Sequence, residues 1–210
     1  AKGCSVYKLI SLFFIGAFLG DIIETIFCYV TAGVLMSRSS VVYGPFSIVW
    51  GLGCVLLTAF LYPYRQKSDS CIFIAGTVLG GAYEYICSVV TELLFGTVFW
   101  DYSKIPFNLG GRINLLYCFF WGIAAVAWIK GIYPVMSAWI EKIPINFGKA
   151  ATWLLLIFFC VDMAVSGLAL VRSSEREKGI PADSAWQQVM DEHYGDEVLK
   201  KIYPNALKVD

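Results

Sequence analysis

Five carboxylate residues lie inside strongly apolar stretches of this sequence: Asp21, Glu24, Glu84, Glu92 and Asp162. A charged side chain near the centre of a bilayer costs about 2.5–3.5 kcal/mol on insertion scales, so such groups face a bundle interior or a water-filled cavity. Glu24 precedes Met36 by about 18 Å of helix, which places it near the middle of a membrane. All five residues are therefore candidates for a functional role, and protonated glutamates with a structural role are the alternative.

A second group of polar residues crowds the loop FWDYSKIPFNLGGRINLLY, which separates two apolar stretches. Pro106 and the Gly110-Gly111 pair break regular structure there, and irregular backbone persists at membrane depth only beside protein or a water-filled cavity. The loop thus predicts a partly re-entrant segment that lines a cavity, and an ordinary surface loop is the alternative. Its candidate substrate-binding residues are Trp100, Asp101, Tyr102, Asn108, Arg112 and Asn114.

Arg112 is the strong cation of this predicted cavity, and two roles are open to it. It can form a structural ion pair with Glu84 or Glu92, or it can hold an anionic substrate group, which the planar guanidinium fork suits. A shorter loop, RSSVVYGPF, contains Arg38 and would lie on the same side of the membrane. Together the two loops predict one mouth of a substrate site. The other candidate substrate-binding residues are Glu24, Tyr43, Glu84 and Glu92.

The overall composition indicates a membrane protein. Hydrophobic residues make up 58% of the 210 residues and charged residues only 15%, with a mean hydropathy of +0.67, whereas soluble domains carry about 25% charged residues. The formal net charge is zero, so no basic excess suggests nucleic-acid binding. No P-loop pattern occurs, the seven cysteines form no C-x-x-C pair, and the single histidine, His193, lies in a polar stretch. The sequence therefore predicts no cofactor, no metal site and no soluble enzyme.

Five apolar stretches suit transmembrane helices, each of which needs roughly 20 apolar residues. We therefore predict an all-α integral membrane protein, with a transmembrane domain over residues 1–171 and a short soluble C-terminal tail over residues 172–210. Two prolines and three lysines between residues 130 and 149 favour a segment that lies in the membrane interface. The five predicted transmembrane helices span about 9–36, 46–64, 71–99, 113–129 and 150–171.

The first and third helices share a pattern, G-x-x-L-G-x-x-x-E-x-I-x-x-x-V-T, at an offset of 60 residues. Glycines four residues apart let helix backbones approach closely. The pattern predicts two parallel helix-pair repeats, 9–64 and 71–129, related by an axis along the membrane normal, and chance similarity between apolar helices is the alternative. The equivalent positions are Gly16 and Gly76, Gly20 and Gly80, Glu24 and Glu84, and, after a longer second loop, Trp50-Gly51 and Trp121-Gly122.

Four stretches of the chain carry a family resemblance: YGPFSIVWGLG at residues 43–53, WDYSKIPFNLGGRINLLYCFFWG at residues 100–122, EREKGIPA at residues 175–182 and KKIYPN at residues 200–205. They resemble the bacterial ABC-transporter permease family of the CmpB type, over roughly residues 9–205. The resemblance implies a permease subunit that works with a separate ATPase, and roles for the polar positions in the matching motifs. The chain departs from the family pattern at Arg38-Ser39-Ser40, where Asn-Arg-Gly is expected, and at Asn114, where a cysteine is common.

These features predict a multi-pass transporter or permease subunit for a small solute, and Arg112 favours an anionic one. The glutamates would carry protons or cations, while Arg112 and Asn108 would hold the solute. A membrane-embedded enzyme or flippase for a lipid or isoprenoid substrate is the main alternative, and a scaffold or sensor with the tail as output is a third.

The predicted location is a bacterial cell membrane. The predicted partners are membrane lipid, a separate ATPase that would dock on the 130–149 segment, and a second copy of the chain in a homo-oligomer; nucleic acid is not expected. Basic residues divide almost evenly between the two predicted sides of the membrane, so the positive-inside rule favours neither orientation.

Overall fold

The computed structural model describes residues 4–208, and helices dominate this part of the chain. The helices are α1 (Val6–Ala32), α2 (Ile48–Leu61), α3 (Asp69–Phe95), α4 (Leu115–Ala127), α5 (Tyr133–Lys142), α6 (Ile145–Glu177), α7 (Ala185–His193) and α8 (Asp196–Ile202). Two small antiparallel sheets pair β1 (Thr97–Val98) with β4 (Leu207–Lys208) and β2 (Asn108–Leu109) with β3 (Ile113–Asn114).

Four helical segments are long and apolar enough to cross a membrane: α1, α3, the continuous segment Leu115–Lys142 that contains α4 and α5, and α6. A shorter apolar segment, Ile48–Tyr64, contains α2 and the 3₁₀ turn that follows it. Helices suit a bilayer because they satisfy their own backbone hydrogen bonds where no water is present. The prediction of an all-α integral membrane protein is confirmed.

Glycine ends the first and third helices earlier than the apolar pattern predicted. Gly33 (φ 69°) and Gly96 (φ 57°) adopt the left-handed conformation, and their backbone N–H groups donate to carbonyls of the preceding turn. Glycine takes this conformation without steric cost, so it commonly terminates a helix. The first helix therefore ends at Ala32 rather than at residue 36, and the third ends at Phe95 rather than at residue 99.

The fourth helix does not end at residue 129, as the sequence predicted, but continues into α5 without a break. A π-helical turn, Trp128–Ile132, joins the two helices, and Pro134 then lies in the first turn of α5. Proline lacks the amide donor that an interior helical position needs, but the first turn of a helix does not use that donor. The predicted interfacial segment is therefore almost entirely helical.

An ion pair between a buried lysine and an exposed glutamate holds α5 against the N-terminal end of α1. Lys8 is fully buried, and its Nζ donates to Glu141 Oε1 at 2.5 Å and to Ser137 Oγ at 2.7 Å. Ile140 of α5 also lies in the core cluster that contains Leu12 of α1. This end of the bundle is opposite to the two loops that follow α1 and α3, which are called the first loop (residues 33–47) and the second loop (residues 96–114).

The helix pairs α1–α2 and α3–α4 approach closely through equivalent glycines. A Cβ atom at Gly20 would collide with the Trp50 side chain, and a Cβ atom at Gly80 would collide with the Trp121 side chain. Small residues at these points let two helix backbones meet. The other matching close approaches are Gly16 to Cys54 and Gly76 to Ala125, and Gly51 to Phe13 and Gly122 to Phe73.

The first loop extends deep into the bundle because α2 begins far from the end of α1. The Ser47 N–H, just before α2, donates to the Ala17 carbonyl at 2.9 Å. Ala17 lies about 22 Å along the helix from the end of α1 at Ala32. Val41 is fully buried in a cluster with Phe159 of α6. Polar groups of this loop can therefore reach carboxylates well inside the membrane.

The chain after α6 folds back onto both loops. The predicted domain boundary after residue 171 falls inside α6, which continues to Glu177. Arg172 is buried near the end of α6 and donates to both carboxylate oxygens of Asp191 on α7 at 2.9 Å. Strand β4 pairs with β1 of the second loop, and Tyr203 donates to the Ser40 carbonyl of the first loop at 3.5 Å. The C-terminal segment is thus docked on the membrane domain.

We expect this segment to stay docked down to about pH 4 and to be released between about pH 4 and about pH 2. Hydrogen bonds from Arg172 and then from Arg176 lower the pKa of Asp191 to about 2, whereas an unfolded aspartate titrates at about 3.9. Because the docked-state pKa is the lower one, the stabilisation is complete above the unfolded pKa and is lost as pH falls through the docked-state pKa. Limited pepsin digestion in lipid nanodiscs across this range measures the release.

Asp191→Asn is the matched control for this expectation. The variant cannot titrate at this position, so cleavage of its C-terminal segment should rise less than in the wild type between about pH 4 and about pH 2, with only the Glu175 and Asp196 pairs left to titrate. It should also be cleaved faster than the wild-type segment at about pH 5, because Arg172 and Arg176 each lose one of two carboxylate partners and the link to α7. Equal cleavage of the two proteins at that pH would contradict the proposed role of Asp191.

Candidate functional site

Glu24 of α1 is held by an arginine and a tryptophan. The Arg38 guanidinium, from the first loop, donates to Glu24 Oε1 through Nε at 2.9 Å and through Nη2 at 2.6 Å. The Trp50 indole N–H, from the first turn of α2, donates to Glu24 Oε2 at 2.7 Å. Both carboxylate oxygens therefore have a donor, and one donor carries a full positive charge.

Glu84 occupies the equivalent position on α3 and is 7% exposed. The Tyr102 hydroxyl, from the second loop, donates to Glu84 Oε1 at 2.7 Å, and the Trp121 indole N–H donates to Oε2 at 3.1 Å. Tyr102 also stacks on Tyr117 of α4, with ring centroids 4.7 Å apart. Within residues 4–208, Glu84 forms no ion pair, so its two donors are both neutral.

The indole rings of Trp50 and Trp121 stack between the two glutamates. Their centroids are 5.6 Å apart and their planes differ by 30°. Tyr83 packs edge-on against Trp121, and its hydroxyl donates to the Val49 carbonyl at 2.8 Å. The helix pairs therefore meet in a Glu–Trp–Trp–Glu arrangement, defined as Glu24, Trp50, Trp121 and Glu84. Arg38 completes one side and Tyr102 the other, so the two glutamates differ chemically.

Arg112 is held against α3 beyond Glu84. Its guanidinium donates to Ser88 Oγ at 3.1 Å and forms an ion pair with Glu92, and the Trp100 indole donates to its carbonyl at 2.9 Å. Of the two structural pairings that the sequence left open, the structure forms the one with Glu92. About a quarter of each side chain in this pair stays exposed, 24% for Arg112 and 29% for Glu92. An incoming group can therefore reach the guanidinium.

Asp101, Asn108 and Asn114 shape the second loop from within. Asp101 accepts hydrogen bonds from the N–H and the hydroxyl of Ser103, at 2.8 Å each. The Asn108 side chain contacts three backbone groups of the same loop, the nearest at 2.7 Å. Asn114 caps α4, where it accepts from the Leu116 N–H at 2.9 Å. The polar atoms of these three residues are thus engaged within the loop.

Tyr43 contacts α6 and the C-terminal segment instead of the two glutamates. Its backbone N–H donates to Asp162 Oδ1 at 3.0 Å, and its hydroxyl is hydrogen-bonded to the Tyr194 hydroxyl. The candidate residues therefore divide into groups: the Glu–Trp–Trp–Glu arrangement with Tyr102, the Arg112–Glu92 pair with Trp100, the residues within the second loop, and Tyr43 beside Asp162.

The candidate list from the sequence omitted three residues at the centre of this site: Arg38, Trp50 and Trp121. The internal alignment placed the two tryptophans at equivalent positions, and that match was the available signal. A buried indole N–H requires an acceptor, and the nearest equivalent acceptors in the pattern are the two glutamates. The partner of Arg38 depends on how deep the first loop lies, which no local pattern indicates.

The comparison with family models agrees with the resemblance. A model described as "Putative ABC-transporter type IV", of the CmpB type, matches residues 11–167. The chain belongs to this family. The match contains every candidate site residue, whereas α7, α8 and β4 of this CmpB-type chain lie beyond it. No curated protein and no solved structure matches the chain. The family and the apolar helices together support a transporter-type role in a membrane.

Proposed function

We propose that this protein is the permease subunit of a transporter that moves a small anionic solute between its two helix pairs. The observation that carries the proposal is the Glu–Trp–Trp–Glu arrangement, in which matched carboxylates meet at the contact between the pairs and only Glu24 has a basic partner. Binding sites near the membrane centre, at the interface of internal repeats, are typical of transporters.

The proposal includes an internal repeat, with residues 9–64 and 71–129 as two parallel units. Its support is that each close glycine contact of α1 with α2 has a counterpart between α3 and α4, as does each indole–carboxylate hydrogen bond. The fifth predicted helix, now α6, contacts both units and the C-terminal segment. In such an arrangement the two units can move against each other around the site.

Glu84 is the group proposed to take up and release a proton. A carboxylate without a cationic partner is costly in a poorly solvated interior, and a proton removes that cost. The protonated acid needs an acceptor for its O–H, but an indole N–H only donates. The Tyr102 hydroxyl must therefore turn to accept from the acid, and the charge-assisted hydrogen bond becomes a neutral one, which weakens the contact of the second loop with α3.

Arg112 is the group proposed to hold the solute, in exchange for Glu92. A planar guanidinium can give two parallel hydrogen bonds to a carboxylate or phosphate, and in the present pairing Arg112 meets Glu92 through Nη2 alone while its Nη1 donates to Ser88 Oγ. The other candidate residues, Trp100, Asp101, Asn108 and Asn114, would act by fixing the second loop that presents Arg112.

A separate ATPase is proposed as the partner, in keeping with the family name, and the cell membrane of a bacterium as the location. The docking surface would be α5 and the start of α6, at the end of the bundle opposite to the loops. Trp139 and Phe147 are exposed there, and the ion pair of the buried Lys8 with Glu141 joins α5 to α1. A push on α5 would therefore move the helix that carries Glu24.

A membrane-embedded enzyme or flippase for an amphiphilic lipid remains the second candidate because of one observation. Phe107 is 82% exposed in the second loop, in a left-handed conformation (φ 60°) that bulky residues rarely adopt, and Leu109 beside it is also exposed. Apolar side chains near Arg112 suit a ligand with an anionic head and a hydrocarbon chain. Turnover of a phospholipid or isoprenoid phosphate by the purified chain alone would favour this candidate.

Proteoliposomes that contain the protein, any co-purified ATPase with MgATP supplied to it, and a trapped pH dye test the proposed function. Inward gradients of inorganic phosphate, sulfate and short carboxylates are applied in turn, and the transported anion should acidify the lumen. Glutamine keeps the size and shape of the side chain but cannot take up and release a proton as a carboxylate does. Glu84→Gln should therefore reduce this acidification at least about tenfold. Glu24→Gln should keep the coupling but reduce thermal stability, because Arg38 loses its charged partner.

Glu197→Gln is the control, since this carboxylate is exposed on α8 and far along the chain from the site. It should behave as wild type in both measurements. Two results would contradict the proposal: no anion gradient moves protons through the wild-type protein, or Glu84→Gln and wild type acidify the lumen equally.

A further inference from the structure

Asp162 is a buried carboxylate that the proposed transport site does not use. It lies midway along α6 and is 1% exposed. Its Oδ1 accepts from the Tyr43 N–H at 3.0 Å and from the Ser166 hydroxyl at 3.4 Å. Its Oδ2 is buried without a hydrogen-bond partner among residues 4–208. An ionised carboxylate with one unpaired oxygen is costly in a buried, poorly solvated position. We therefore expect a proton, an ion or another ligand to bind at Oδ2.

The surroundings of Asp162 are built from neutral oxygen groups of three separate elements. The Ser166 hydroxyl, one turn further along α6, accepts from the Val42 N–H of the first loop at 2.9 Å. From the C-terminal segment, the buried Tyr203 donates to the Ser40 carbonyl, and Tyr194 pairs with Tyr43. The carboxylate therefore lies where α6, the first loop and the C-terminal segment meet.

The groups that face Asp162 carry no positive charge. Burial raises the pKa of Tyr203 to about 12, and the nearby Asp162 carboxylate adds to the rise. The hydrogen bond with Tyr43 raises the pKa of Tyr194 to about 12, so both hydroxyls stay protonated at neutral pH. In the part of the chain that the structure describes, no lysine, arginine or histidine donates to Asp162. The two arginines near the end of α6, Arg172 and Arg176, are paired with other carboxylates.

We propose that Asp162 binds a small monovalent cation, Na⁺ or a proton, and that this cation closes the first loop and the C-terminal segment over α6. One buried carboxylate with a free oxygen and a hydroxyl beside it, and with no second acidic group, suits a singly charged cation. A divalent ion ordinarily takes several carboxylates, and residues 4–208 contain no group of three acidic, histidine or cysteine side chains that could hold one.

The physical consequence is a coupling between the ion and two segments of the fold. With Na⁺ or a proton bound at Oδ2, the charge of Asp162 is neutralised, and Oδ1 can keep the hydrogen bond from the Tyr43 backbone that fixes the first loop. Without the cation, the bare carboxylate favours entry of water, which separates the first loop and the C-terminal segment from α6. The site is distinct from the Glu–Trp–Trp–Glu arrangement, so it can exist whether or not the proposed transport function is correct.

Hydrogen exchange of the full chain in lipid nanodiscs tests the inference, with the backbone amides of residues 37–47 and 185–208 as the readout. In one arm, NaCl replaces N-methylglucamine chloride or KCl at a fixed alkaline pH. In the other arm, pH is lowered through neutral without Na⁺, and rates are corrected for intrinsic exchange. A cation at ten times its Kd should slow exchange in both segments by roughly tenfold. Slowing in the first arm identifies Na⁺, and slowing in the second identifies the proton.

Asp162→Asn should remove the response in either arm while the rest of the chain keeps wild-type exchange. The asparagine oxygen can still accept from the Tyr43 N–H, so this variant tests the charge rather than the hydrogen bond. Glu197→Gln, which removes an exposed carboxylate from the same C-terminal segment, should respond as wild type. The inference is overturned if wild-type exchange in the two segments responds to neither Na⁺ nor pH, or if Asp162→Asn keeps the response.

Discussion

Gly80→Leu is expected to prevent α3 from packing on α4 and to leave little protein that remains folded in mild detergent. A Cβ atom at this position would collide with Cβ and Cγ of Trp121, which lie next to the α4 backbone and cannot move aside. Overpacking alone costs about 1–3 kcal/mol. Displacement of Trp121 also breaks its hydrogen bond to Glu84, which leaves a buried carboxylate with one donor fewer, a further cost of about 1–3 kcal/mol.

Thermal unfolding and size-exclusion chromatography measure this effect, and the repeat supplies a second test. Gly20→Leu should give a loss of the same order, because Gly20 meets Trp50 in the same way. Gly131→Ala is the control, since nothing lies within 4 Å of a Cβ atom there; its unfolding temperature should match or exceed that of the wild type. A folded, monodisperse Gly80→Leu protein with an unchanged unfolding temperature would refute the proposed close contact.

The helix pairs could be predicted from sequence because their signals are local. Apolar length indicates a spanning helix, and glycines four residues apart indicate close packing whatever the rest of the chain does. The repeated Gly-Gly-Glu spacing identified the faces that meet, and the structure places Gly20 and Gly80 against equivalent tryptophans. The ends of the first and third helices were predicted too late in the sequence for a reason that is also local. Gly33 and Gly96 lie within apolar runs, so hydropathy alone does not indicate that each glycine ends a helix.

The partners of the glutamates were harder to predict because they depend on loop depth. Arg38 lies 14 residues from Glu24 in sequence and Tyr102 lies 18 residues from Glu84, whereas side chains that touch along one helix are only three or four residues apart. Each contact requires the loop to run back along the helix that precedes it. That path is fixed by long-range packing, such as the burial of Val41 in a cluster with Phe159 of α6, which no local pattern indicates.

The docking of the C-terminal segment has a similar explanation. Its composition is polar, so it was predicted to be a soluble tail, and hydrophobicity gave no other indication. The contacts that dock it are ion pairs of α6 arginines, the two-residue pairing of β4 with β1, and a few buried side chains that include Met190 and Leu199. Such contacts join residues far apart in sequence, and their formation depends on where α6 ends.

Removal of the Arg112 side chain should distinguish the two roles that were open to this residue. Arg112→Gln leaves Glu92 without its ion-pair partner, so the single variant should be less stable and inactive under either role. The double variant Arg112→Gln/Glu92→Gln removes both charges and should recover stability, because no unpaired charge is left. Only the substrate role predicts that the double variant stays inactive.

We expect the double variant to fold as wild type and to lose anion transport by roughly 10- to 150-fold, the loss that corresponds to about 1.5–3 kcal/mol for a hydrogen bond to a charged group. Uptake of the transported anion into proteoliposomes measures the loss, and the unfolding temperature of the same samples reports stability. The single variant Glu92→Gln is the comparison. It removes the ion-pair partner of Arg112, so this variant should bind the anion more tightly than the wild type. If the double variant recovers transport together with stability, Arg112 only neutralises Glu92, and the solute must be held by another group.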